Sequence, residues 1–184
     1  MRAWWAMLGL GLCLLTPSPS HAENLRLMSV GIRGGLTGWT VIGADEIESF
    51  QRYDVVATVR LPWSWHSESA WGLDTGLMAS AGALLGAGEA GFIGTLAPVL
   101  ALRSKDGGVS LDAGVGGALL SRHTFGDQQF GGPFQLVLTW GFRVPVYRAI
   151  GVGYRYQHLS DADIYGNPSR GGDFHMLELT YRFP

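Results

Sequence analysis

Side chains along residues 134–143 alternate. Phe134, Leu136, Leu138, Trp140 and Phe142 are large and apolar, while most of the residues between them, Gln135, Thr139, Gly141 and Arg143, are polar or small. A period of two marks a strand with unlike faces. Residues 53–61 repeat it, with Tyr53, Val55, Ala57, Val59 and Leu61 on one face and Asp54, Thr58 and Arg60 on the other. Less regular versions run over residues 27–37, 70–84, 91–103, 109–120, 150–160 and 174–183. The pattern predicts eight strands of roughly 10 residues, the length a tilted strand needs to cross a bilayer.

The two faces separate a soluble sandwich from a membrane barrel. A sandwich hides its apolar face and shows polar residues to water. Here the polar face is sparse: Asp54, Arg60, Asp74, Asp112, Arg143, Arg155, Glu178 and Arg182, padded with Gly, Ser and Thr. Four acids against four arginines fit the narrow lumen of an eight-stranded barrel. The other face carries Trp71, Trp140, Phe142, Tyr154, Tyr156, Tyr181 and Phe183, read as aromatic girdles at two interfaces. The expected fold is therefore an all-β, eight-stranded antiparallel transmembrane β-barrel. With both termini in the periplasm, residues 38–49, 122–132 and 161–172 are outer connections, while 62–69, 105–108 and 145–148 are inner ones.

Composition sharpens this picture. With 28 glycines, 11% aromatic and 15% charged residues, the chain suits many short strands better than helices. Met1-Arg2, an apolar stretch over residues 3–15 and Ser20-His21-Ala22 read as a cleaved secretory signal over residues 1–22, leaving one barrel domain over residues 23–184. The single cysteine, Cys13, lies in that signal, so the mature domain has no disulfide or thiolate metal site. A formal charge of −2 gives no reason to expect nucleic acid as a partner. Export and a barrel together place the chain in a Gram-negative outer membrane, among its lipids.

One pair of polar residues breaks the apolar face. In the seventh predicted strand, even positions carry Val152, Tyr154 and Tyr156, then His158 and Ser160. Residues two apart share a face and lie roughly 6 to 7 Å apart, near enough for an imidazole to bend toward a hydroxyl. In the eighth strand Leu177, Leu179, Tyr181 and Phe183 set the outward parity, and Asp173 shares it. Pairing of these strands as a hairpin brings Asp173 beside His158 and Ser160. A nucleophile, a base and an acid that orients the base then converge on one patch. Glu178 has the opposite parity and belongs to the lumen, and His175 is read as an interfacial histidine.

His158-Leu159-Ser160-Asp161-Ala162, followed by Asn167-Pro168, Gly171-Gly172 and Asp173, resembles the mark of the PagL family of outer-membrane lipid A 3-O-deacylases: His-x-Ser-Asn-Ala, an Asn/Pro/Gly-rich loop, and an acid before the last strand. The resemblance implies Ser160 as nucleophile, His158 as general base and Asp173 as orienting acid. It implies hydrolysis of the ester-linked 3-hydroxyacyl chain at the 3-position of lipid A, the lipid anchor of lipopolysaccharide, without metal or cofactor. Asp161 stands where the family has Asn, in the oxyanion-supporting position, and Asp173 stands where the best-known members have Glu, about one residue further from the serine. A carboxylate at 161 would oppose developing negative charge; backbone amides or Asn167 then supply the donor. The alternative reading is a non-enzymatic small barrel, an adhesin or stabiliser, with a degenerate deacylase site.

Overall fold

The structure is a computed structural model that describes residues 26–42, 47–66, 71–104, 106–166 and 169–184. The predicted signal over residues 1–22, and Asn167, lie outside the described residues. Ten strands follow in chain order: β1 (Arg26–Thr37), β2 (Phe50–His66), β3 (Trp71–Gly86), β4 (Glu89–Ser104), β5 (Ser110–Leu120), β6 (Thr124–Phe125), β7 (Gln128–Gln129), β8 (Phe134–Tyr147), β9 (Ile150–Ser160) and β10 (Gly172–Arg182). Eight of them close into one antiparallel barrel in the order β1-β10-β9-β8-β5-β4-β3-β2. Closure leaves no sheet edge, which is what hydrocarbon demands, because an unsatisfied backbone group there costs several kcal/mol.

Each of the eight predicted strands is a barrel strand. β2 is longer than predicted and runs through Pro62 to His66, where an inner connection was expected. The ladder with β3 shifts register between Arg60 and Ser64, so Pro62 sits in an irregularity where no ladder donor is required. The β6–β7 pair is a small hairpin inside the connection after β5, read from sequence as plain loop. The outer connection between β3 and β4 is only Ala87-Gly88, with φ of 49° and 73°, the positive values a two-residue type I′ turn needs.

The lumen is layered. At the end away from the termini, Phe50, Phe125, Phe130 and Phe174 pack edge to face, with Phe50 5.4 Å from both Phe125 and Phe130. Leu84, Ile93, Val137, Leu159 and Met176 complete this plug. Below it lies a charge layer. Arg33 Nε donates to Asp54 Oδ2 at 2.8 Å, and Arg52 meets the same carboxylate at 2.9 Å. Arg155 reaches Asp112 at 2.7 and 3.0 Å and Glu178 at 3.0 Å, and Arg143 reaches Glu178 at 2.8 Å. Arg60, Arg103 and Arg182 lie nearest the termini. The predicted balance of four acids and four arginines is thus incomplete: Arg33, Arg52 and Arg103 also serve the lumen. Their neighbours Gly34, Gly35 and Gln51 blur the alternation that would have exposed the first two.

The girdle reading also needs correction. Trp63, Trp65, Trp71, Tyr147 and Tyr181 do form an exposed belt at the end carrying the termini. Trp140, Phe142, Tyr154 and Tyr156 instead form one patch across β8 and β9, with ring centroids 5.6 to 6.0 Å apart. Cross-strand pairing of Trp140 with Tyr156 and of Phe142 with Tyr154 gathers them.

Candidate active site

The aromatic patch leads up the outer wall to the polar residues. β9 and β10 pair with His158 directly opposite Asp173. Such a cross-strand pair holds its Cβ atoms about 4.5 to 5.5 Å apart, and here His158 Nδ1 lies 2.5 Å from Asp173 Oδ1. With a carboxylate as acceptor, Nδ1 carries the proton and the ring presents Nε2 as the free lone pair. The His158 side chain is 12% exposed and that of Asp173 1%.

Asp173 is buried although its parity is outward, because the β1–β2 connection folds over it. Backbone N–H groups of Val41 and Ile42 both donate to Asp173 Oδ2, the second at 3.0 Å. The connection is tied down further along the wall. His175 Nε2 lies 3.1 Å from the Trp39 carbonyl and Nδ1 lies 2.6 Å from the Tyr154 hydroxyl. The Trp39 and His175 rings are 4.3 Å apart. Nε2 donates to the carbonyl and Nδ1 pairs with the Tyr154 hydroxyl, so the ring tethers the connection to the wall. These loop contacts escaped the sequence reading. Their signal was Trp39-Thr40-Val41-Ile42, an apolar run in a connection that should be polar; Trp39, Val41 and Ile42 are all exposed on the outside of the wall.

Ser160 ends β9, two residues beyond His158 on the same face and half-buried. Its Oγ accepts from the Ala162 N–H at 3.1 Å, and among the described residues it makes no hydrogen bond to the imidazole. Nucleophile and base contacts are often long before substrate arrives. The chain then turns sharply. Ala162 and Asp163 have φ of 49° and 60°, and the Ile164 N–H closes the turn on the Asp161 carbonyl at 3.0 Å. Two consecutive non-glycine residues in the left-handed region cost roughly 1 kcal/mol or more each. They carry the chain away from Ser160 and leave its hydroxyl open. On the return, Gly171 has φ of 65°, and a Cβ there would strike the Leu159 carbonyl. That close approach sets Asp173 in register with His158.

Asp161 does not join this patch. Its parity is that of the lumen, it is 3% exposed, and it accepts from the Asp163 N–H at 3.3 Å. A Cβ on Gly131, itself at φ 80°, would collide with its carboxylate. Asp161 therefore braces its own turn on the inner side, and its side chain points away from the oxyanion-supporting position expected from the motif. Of the five residues singled out, the structure brings His158, Ser160 and Asp173 to one outward patch and turns Asp161 inward, and Asn167 is outside the described residues.

The crystal structure of the outer membrane enzyme PagL has the same fold: TM-score 0.70 at 22% sequence identity, over 84% of this chain and 99% of that one. Among curated proteins no match is found. A family model for lipid A 3-O-deacylase (PagL) matches residues 51–182, which runs from the second residue of β2 through β10 and includes every described residue of the polar patch apart from the Trp39–Ile42 tether. That span is well over half of the chain, and the chain belongs to the PagL family of lipid A deacylases.

Proposed function

We propose that this chain is a serine esterase that hydrolyses the ester-linked 3-hydroxyacyl chain at the 3-position of lipid A in the outer leaflet. Ser160 is the nucleophile, His158 the general base and Asp173 the acid that orients His158. The carrying observation is the 2.5 Å contact between His158 Nδ1 and Asp173 Oδ1 on the outward wall, with Ser160 next on that face. Residues 1–22 act as the export signal, and the termini face the periplasm, so the patch lies at the outer rim.

The chemistry follows from the wiring. Asp173 holds Nδ1–H, so Nε2 takes the Ser160 proton as Oγ attacks the acyl carbonyl. The tetrahedral oxyanion is stabilised by backbone donors, among them the Ala162 N–H now on Oγ. Collapse expels the sugar 3-oxygen, which takes the proton from His158 and leaves an acyl-serine. Water, deprotonated by the same ring, then attacks the acyl-serine. It releases a 3-hydroxy fatty acid and restores the hydroxyl. An outward site suits a substrate whose acyl chains never leave the bilayer, and the aromatic patch below gives them an apolar path. The inward direction of Asp161 supports an active site over a degenerate one, because its carboxylate is turned away from the developing charge.

Mass spectrometry of lipid A from a Gram-negative host tests the reading. Expression of the chain should remove one 3-hydroxyacyl mass from the 3-position, and Ser160→Ala should restore it. Unchanged lipid A with a heat-modifiable, folded barrel would overturn the proposal.

A further inference from the structure

Charge in the lumen is unevenly matched. In the middle layer Arg33, Arg52, Arg143 and Arg155 meet Asp54, Asp112 and Glu178, each acid held by at least one guanidinium at hydrogen-bonding distance. Toward the termini, among the described residues, Asp74 is the acid in reach of Arg60 and Arg103, and Asp106 shares a cavity with Arg182. Asp74 lies 3.8 Å from Arg60 and 3.6 Å from Arg103, both longer than a hydrogen bond. Arg60 Nε and Arg103 Nε are buried and donate no hydrogen bond to a described residue. The Arg182 side chain, half-buried, makes no hydrogen bond or ion pair to any described residue. Two cavities open here and share Arg182. One, about 100 Å³, is lined by Arg26, Arg60, Arg103 and Arg182; the other, about 210 Å³, by Arg143, Arg148 and Arg182 with Asp106. Asp106 is already engaged by the Gly108 N–H at 2.9 Å.

Arginine does not lose its proton in proteins. Three guanidiniums with Asp74 and Asp106 as the described acids beside them therefore cannot relieve their repulsion by neutralising. The ligand that fits is an oxyanion, since the guanidinium fork binds phosphate with two parallel hydrogen bonds. Leu27 and Phe183 line the first cavity and Ile150 the second, and the exposed Leu27 and Ile150 put apolar surface next to the charge. We infer that this mouth is a binding site for a phosphate oxyanion, supplied by a phospholipid headgroup of the inner leaflet or by free phosphate in the periplasm. The inference rests on the membrane orientation of the proposed function but not on its chemistry.

Native mass spectrometry of the purified full chain in detergent, offered phosphatidylglycerol or inorganic phosphate, tests it against Arg60→Gln/Arg103→Gln/Arg182→Gln and against Arg182→Gln alone. The site predicts retention by the unaltered barrel that falls at least tenfold in the triple variant and several-fold in the single one. Retained phosphatidylglycerol identifies a headgroup site, and retained phosphate without lipid a free-anion site. Equal retention by unaltered and altered folded barrels, or none by either, overturns the inference. Heat-shifted gel migration reports folding, with the single variant deciding if the triple does not fold. Lipid A deacylation by the same samples reads the Ser160 chemistry separately, so loss of one reading leaves the other standing.

Discussion

β9 and β10 carry a buried acid–base pair on each face, and the two differ in how far they are satisfied. Inward, Arg155 spends its guanidinium on Asp112, Glu178 and Thr139, and Glu178 is also held by Arg143. Outward, Asp173 is held by His158 and the Val41 and Ile42 amides, but among the described residues His158 Nε2 and the Ser160 hydroxyl proton are left uncommitted. A fully satisfied network fixes a structure; one with a single open end, aimed at a neighbouring hydroxyl, is positioned to move a proton. The same two strands thus build a strut on one side and a reactive site on the other.

Four substitutions sharpen the contrast. Ser160→Ala removes the open end itself and should lower kcat for lipid A deacylation on the order of 10⁶-fold, as when a triad serine is lost elsewhere. Asp173→Asn keeps the shape but donates where it should accept, misdirecting the His158 tautomer; the expected loss in kcat is on the order of 10⁴-fold. Both should leave urea unfolding of the barrel nearly unchanged. Glu178→Gln does the reverse, because it strands Arg143 and Arg155. Unfolding should show a cost of about 3 to 5 kcal/mol, with kcat per folded molecule within twofold. A large loss of kcat there, without loss of stability, would erase the distinction between the faces. His175→Ala cuts the tether through Trp39 and Tyr154 that holds the Val41–Ile42 amides over Asp173. Neutral hydrogen bonds contribute about 1 kcal/mol each, so kcat should fall roughly tenfold with KM little changed.

Much of this was legible in the sequence, because a barrel wall obeys one rule. Period two marked all eight strands, put His158, Ser160 and Asp173 outward and sent Glu178 inward. The same rule sends residue 161 inward, but the motif drew Asp161 to the reactive patch, and the structure follows parity. Parity gives the face of a residue and not what lies over it, so the roof of Val41 and Ile42 was invisible although its apolar run stood out. The lumen arginines Arg33 and Arg52 were hidden because one flanking position of each, Gly34 and Gln51, is small or polar, which blurs the alternation. The β6–β7 hairpin has two residues per strand, too few for any period.

Covalent labelling tests the central claim most directly. The folded barrel, treated with a long-chain fluorophosphonate and mapped by peptide mass spectrometry, should carry one phosphonate on Ser160, and His158→Ala should abolish it. Labelling at another residue of an active barrel, or deacylation that continues without a reactive Ser160, would contradict the account.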